Sequence, residues 1–197
     1  MFHKISEQIV AYAIKTDALD QEKETEYIYG LELSLSVLTS YLSVIIIGII
    51  MGMIWQSALF LLLFVSVRRF AGGFHFSSQI ICYLVTCIMS TLVLLIIKYT
   101  GNDVFICSVI MGLSTLTLLI LSPVPAIEKP LDDKEKIIYG RISRIMLIIV
   151  LGIYVALCFF QKMYTAKIIS ITIFAIAIFA ILGKIKYGLY RCERAAL

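Results

Sequence analysis

The chain has 197 residues, 61% of them hydrophobic and only 15% charged, with a mean hydropathy of +0.99. A water-soluble domain of this length has too much surface to cover with so few charges, so the surplus apolar area implies a bilayer. The net charge of +4 does not point to nucleic acid, because most basic residues fall at the borders of apolar segments, and 11 glycines with 3 prolines do not make a disordered chain.

Residues 1–14 place Phe2, Ile5, Ile9, Tyr12 and Ala13 at three- and four-residue steps, with Lys4, Ser6, Glu7 and Gln8 between them. This spacing predicts an amphipathic helix that lies on a membrane surface or packs on the rest of the protein. The first residues lack the continuous apolar core of a cleavable signal peptide, so the first long apolar run is expected to stay in the protein. Residues 15–27 read as a solvated connector.

Apolar segments follow at 33–54, 57–67, 80–97, 104–121, 145–160 and 166–183. A crossing needs about 20 residues, so 57–67 is short and spans only if tilted. Trp55 and Gln56 mark the expected break before it. Charge settles the count. With six spans and the N-terminus inside, all but three (Lys98, Lys162 and Lys167) of the 17 basic residues fall on the inner side, as the positive-inside rule requires. Dropping the second span breaks this alternation. The expected fold is therefore all-α: a polytopic integral membrane protein with about six transmembrane helices, an N-terminal amphipathic helix and both termini in the cytoplasm. Residues 122–144 read as a solvated cytoplasmic loop carrying Asp132, Asp133 and Glu135. Gly48 and Gly52, four apart in the first span, could allow close helix approach, but ordinary glycine usage in a membrane helix is the preferred reading.

Five cysteines are present, with no CxxC pair and only two histidines. A zinc site of ordinary spacing and a disulfide framework are both unsupported, and no cofactor is expected. Most of the thiols read as small packing residues.

One segment carries chemistry. Residues 68–82 read RRFAGGFHFSSQIIC, where the chain returns to the inner face. Residues 68–79 are expected to form a loop. Ser77 or Ser78 is a candidate cap for the third span, which puts Cys82 near its first turn. On one continuous helix His75 and Cys82 would be separated by roughly 10 Å. They can cooperate only if the helix starts after His75 and the loop folds back at Gly72 and Gly73, residues free to take positive φ. A free thiol has a pKa of about 8.5, so a nucleophilic Cys82 needs help from Arg68, Arg69 and His75. Cys87, deeper in the span, is the competing nucleophile and His3 the competing base. Cysteines at helix starts are ordinarily packing residues and paired arginines ordinary border signals, so the residues alone leave both readings open.

The pattern R-R-x-x-G-G-x-H-x6-C resembles the accessory gene regulator B family. Tyr29–Gly30–Leu31–Glu32 looks like the start of that family's first span. Ser122-Pro-Val-Pro-Ala with Lys129–Pro130–Leu131 looks like its proline-containing cytoplasmic loop. The resemblance runs from about residue 29 to 131. It implies a membrane cysteine endopeptidase of a bacterial quorum-sensing system. Such an enzyme cuts the C-terminal tail from a small precursor peptide and promotes closure of a thiolactone or lactone ring. The resemblance also implies a homodimer in the bacterial cell membrane, with Cys82 as nucleophile and His75 as base. Arg68 and Gly73 then match motif positions that are structural or touch substrate.

Two further residues stay open. Gln79, three before Cys82, is either an oxyanion donor or a polar interface residue. Glu32 is an intramembrane carboxylate, costly unless paired or useful; it could orient His75, pair with Arg68 or reach the headgroups. A peptide exporter and a noncatalytic scaffold compete with the enzyme reading. An exporter predicts paired polar residues near the bilayer midplane or repeat symmetry between halves, and the sequence displays neither. A scaffold would tolerate loss of Cys82.

Overall fold

The computed structural model describes residues 2–16, 18–73, 78–124 and 132–196, with backbone alone at 133 and 190–196. The helices are α1 (His3–Lys15), α2 (Glu24–Ile50), α3 (Ile54–Ala71), α4 (Gln79–Tyr99), α5 (Val104–Leu121), α6 (Asp133–Phe159) and α7 (Met163–Ala196), with a 3-10 turn at Gln21–Lys23 before α2. The 6 helices α2–α7 are long and apolar enough to cross a membrane. The protein is all-α and multi-pass.

Several bounds differ from the sequence expectation. α2 begins at Glu24, inside the expected connector, because the Asp20 side chain accepts from Glu22 N–H and starts the turn there. The break before α3 falls at Met51–Met53, with Gly52 at φ 68, so Trp55 and Gln56 are helical. Gln56 Nε2 donates to the exposed Tyr164 hydroxyl at 2.9 Å, which links the start of α3 to the start of α7. At its other end α3 carries Arg68–Ala71 into the helix, so the expected loop 68–79 is shorter and the weak second segment becomes an 18-residue span. α6 starts at Asp133, not 145, because Glu135 accepts from the Asp132 N–H at 3.1 Å at the helix start. Asp132 and Glu135 therefore shape a helix end as well as face water.

α7 is the axis of the bundle. In its apolar window 67% of residues are buried, against 28% or less in the other five spans. Ala166, Ser170, Thr172, Ala175, Ala177 and Ala180 are buried on it, and such small residues let neighbouring backbones approach closely in lipid. One face of α7 packs with Val67, Met111, Leu118, Leu147 and Tyr154. Another packs with Val44, Phe60, Leu94 and Ile97. Large apolar residues such as Leu42, Leu62, Leu113 and Ile148 point outward, as lipid contact requires.

Lys167, expected at the outer border, is buried at 3% exposure near the start of α7, where its Nζ donates at 2.9 Å to the Thr100 carbonyl at the end of α4. A cation there satisfies a terminal carbonyl and the negative end of the helix dipole.

Two glycines set close approaches. Gly48, expected to be unremarked, faces Ser57 across the α2–α3 hairpin so tightly that a Cβ would collide with the Ser57 side chain. Gly72, at φ 74, lies against Val124 in an isolated bridge, and the Val124 N–H donates to the Ala71 carbonyl at 2.9 Å. A Cβ on Gly72 would collide with the Val124 carbonyl oxygen, which is backbone and cannot rotate away. Gly73, at φ 148, faces the Phe179 backbone of α7.

Gly48→Val is expected to lower stability in detergent by about 1–3 kcal/mol, the usual cost of overpacking. Gly112→Val, where a Cβ meets no atom within 4 Å, should stay within about 0.5 kcal/mol of wild type; thermal unfolding of both checks this. Gly72→Ala should cost about 1–3 kcal/mol through backbone strain and speed proteolytic nicking between α3 and α4. Gly30→Ala, in open space, is the matched control.

Candidate active site

The site is built at the end of the bundle where α3 finishes, α4 starts and α1 lies; this is the end rich in basic residues. Ser78 occupies the cap position of α4 in an extended conformation, φ −95 and ψ 124, but its hydroxyl makes no capping bond. The expected side-chain cap is therefore not formed by Ser78, and Ser77 lies outside the described residues. The first helical bond runs from Cys82 N–H to the Ser78 carbonyl at 3.0 Å. Cys82 thus sits at the close of the first turn. The N–H groups of Gln79, Ile80 and Ile81 precede it without intrahelical acceptors. Its thiol is half-buried. Cys87 is also half-buried, but lies about 7.5 Å further along the helix axis.

Arg68 and Arg69 part company, because neighbours on a helix point about 100° apart. The Arg68 guanidinium turns inward, 5.0 Å from the Phe64 ring centroid and 4.4 Å from that of Phe179. The guanidinium is a flat, weakly hydrated cation, and its contacts with the two rings are of the cation–π kind. It stands within electrostatic range of the Cys82 thiol and the Tyr41 phenol. Arg69 is exposed and lies 5.9 Å from the Phe70 ring. Of the two, Arg68 is the one that turns toward α7.

Gly72 and Gly73 fix the direction in which the chain leaves α3. His75 lies outside the described residues, as do Pro125, Ala126, Lys129, Pro130 and Leu131 of the proline-containing segment.

Gln79 faces α2. Its Oε1 accepts from the Ser36 hydroxyl at 3.3 Å, and one turn further Tyr83 and Ser43 share a 2.9 Å hydrogen bond. Ser36, Thr39, Gln79 and Tyr83 line a small pocket together with Phe2 from α1. The Ser36 contact supports the interface reading of Gln79 and leaves its amide Nε2 as the available donor.

Glu32 has a partner that sequence reasoning set aside. Its Oε2 lies 3.3 Å from His3 Nδ1, while His3 Nε2 lies 3.1 Å from Glu7 Oε1. His3 therefore ties α1 to α2 beside the site. One missed signal was legible: Ser36, Thr39 and Ser43 recur at three- and four-residue steps in an otherwise apolar span, which puts their hydroxyls on one helix face.

The arrangement offers a half-buried thiol at a helix start, a guanidinium near it, amide donors one turn away and a hydroxyl-lined pocket alongside. Comparison with known proteins gives the family. The family profile described as Accessory gene regulator B matches residues 6–182. An AgrB-like protein of Clostridium perfringens (strain 13 / Type A) is 26% identical over 148 residues, covering 71% of this chain and 79% of its own length. No solved structure matches the chain significantly. The profile spans nearly the whole bundle, the site included, and the chain belongs to the accessory gene regulator B family.

Proposed function

We propose that the protein is a membrane cysteine endopeptidase that removes the C-terminal tail of a small precursor peptide and promotes its cyclisation. The observation that carries this reading is the place of Cys82: at the first turn of α4, at the basic end of the bundle, within electrostatic range of Arg68. His75 is assigned as the base from the family pattern.

In this mechanism His75 takes the Cys82 proton, and the thiolate attacks the scissile carbonyl carbon. The developing oxyanion has the N–H groups at the start of α4 and the Gln79 amide within one turn as candidate donors. The C–N bond then breaks, the amine leaves with the proton from His75, and the acyl group remains as a thioester on Cys82. A thiol or hydroxyl within the precursor attacks that thioester, closes the ring and restores Cys82. A thioester keeps the energy needed for this exchange, and a water-poor position at the membrane edge favours ring closure over hydrolysis.

The basic end is assigned to the cytoplasm, which puts both termini and the site on the inner side of a bacterial cell membrane. Among the described residues, the cations Arg68 and Lys167 lie near span ends, in contrast to the midplane pairs that an exporter predicts.

Cys82→Ala should lower cleavage of a cognate precursor in lipid vesicles by at least about a thousandfold and abolish the covalent peptide adduct seen by mass spectrometry. Cys87→Ala should leave both in place. Continued cleavage by Cys82→Ala would remove this assignment. For orientation, a membrane-impermeant maleimide should label Lys98→Cys in intact cells and Lys15→Cys only after permeabilisation, in a chain lacking its native cysteines; the reverse pattern would invert the topology.

A further inference from the structure

α6 turns one face to the bundle and the other away from it. On the inward face Ser143, Leu147 and Val150 are buried. Ser143 accepts from the Ser122 hydroxyl at 2.8 Å, and Gly140 packs against Pro123. The outward face is open. Lys134, Arg141, Ile148 and Val155 follow one another at two-turn intervals along one exposed line, with Ile137 and Arg144 beside it. Ile137 and Ile148 are 65% and 64% exposed, so this side of the helix is turned to lipid. Three cations therefore share a lipid-facing surface with isoleucines. Asp132 and Glu135, at the helix start, point more than about 100° away from Arg141. Among the described residues, Lys134, Arg141 and Arg144 make no ion pair.

Helix length sets the depth of these cations. The apolar stretch Lys134–Phe159 has 26 residues. It is about 39 Å long, against a hydrocarbon core of about 30 Å. At the outer border Phe159 ends the helix, and the exposed Gln161 and Lys162 follow it. Measured from Phe159, Arg141 stands about 27 Å along the axis and Arg144 about 22 Å. Both backbone positions thus fall inside the apolar slab near its inner edge, while Lys134 lies beyond it. A charged side chain at that depth faces the bundle interior or reaches back to the headgroups. The exposed Arg141 and Arg144 do not face the interior, so their guanidinium groups must meet the headgroup layer.

We propose that Lys134, Arg141 and Arg144 form a headgroup site for an anionic phospholipid, whose acyl chains lie along Ile145 and Ile148. A guanidinium donates two parallel N–H bonds to a phosphate. A net negative headgroup adds an attraction that a zwitterionic one cancels with its own cation. The isoleucines beside the cations select a lipid over a free phosphate, which has no chain to place there. The proposal does not depend on the peptidase reading.

The test uses the full chain, delipidated in a neutral detergent and titrated with phosphatidylglycerol or phosphatidylcholine of identical acyl chains. Native mass spectrometry counts the lipid-bound species. Phosphatidylglycerol should bind about tenfold more tightly than phosphatidylcholine. The double variant Arg141→Gln, Arg144→Gln should bind the two lipids alike, and each single variant should fall between. Lys162→Gln, which removes an exposed cation at the other end of the bundle, should keep the full preference. Inorganic phosphate and hexaglutamate, each equimolar with the lipid, should not displace phosphatidylglycerol. Circular dichroism and thermal unfolding check that the variants are folded; if the double variant is not, the two single variants carry the same test.

Equal affinity of the wild type for both lipids would overturn the proposal. So would a full preference that survives in the folded double variant, or in both single variants. Displacement by phosphate would make the surface a site for a soluble anion, and displacement by hexaglutamate a site for an acidic peptide; either result overturns the lipid assignment.

Discussion

One hydrogen bond governs the geometry of the site: the Val124 N–H donating to the Ala71 carbonyl at 2.9 Å. At membrane depth, backbone outside a helix is tolerated only where protein or enclosed water satisfies it. The chain leaves its helices twice near the site, after α3 and after α5. These two breaks meet, and each supplies the other with a partner. Gly72 is the residue that permits the meeting, because its φ of 74 and the closeness of Val124 leave no room for a side chain. The bridge ties the end of α3 to the chain just after α5. The double glycine and the proline-containing segment, far apart in sequence, are thus two halves of one support.

α7 carries the rest. It lends Phe179 to the cation at one end and Lys167 to the carbonyls at the other, and the two cations are handled by different chemistry. The planar guanidinium of Arg68 lies between the faces of Phe64 and Phe179. The compact ammonium of Lys167 donates to the Thr100 carbonyl at a helix end. Exchanging the two residue types would suit neither place, since an ammonium is too strongly hydrated for an aromatic sandwich and a guanidinium is too broad for one carbonyl. The result is a guanidinium held against aromatic rings at the end of the bundle that carries Cys82.

Much of this was legible in the residues. Continuous apolar runs marked most spans. The alternation of basic residues rescued the second, which hydropathy alone left too short because Arg68 and Arg69 belong to its helix. The glycines and the Ser77–Ser78 pair pointed to a helix start before Cys82, and α4 begins at Gln79, though without a cap bond from Ser78. What stayed hidden involves residues distant in the chain. Glu32 meets His3 across 29 positions, and Ser36 meets Gln79 across 43. Helical periodicity says which residues share a face, but not which helix that face will meet. Gly48 was misjudged for the same reason: only the hairpin's return brings Ser57 against it.

The sequence by itself determined that the chain lives in a membrane, how many times it can cross, and where the one segment suited to nucleophilic chemistry lies. Those properties depend on local composition, on charge at segment borders and on the backbone freedom of glycine. The tertiary structure alone decided that α7 is the buried axis, that Arg68 rather than Arg69 turns inward, that Phe2 lines a pocket with Gln79 and Tyr83, and that His3 meets Glu32. The reason is physical. In water, an apolar face identifies the side that is buried. In lipid, a face turned to protein and a face turned to acyl chains are equally apolar, so hydrophobic pattern cannot choose between them. Close packing of small residues and a few polar contacts make that choice, and they exist only once the helices have met.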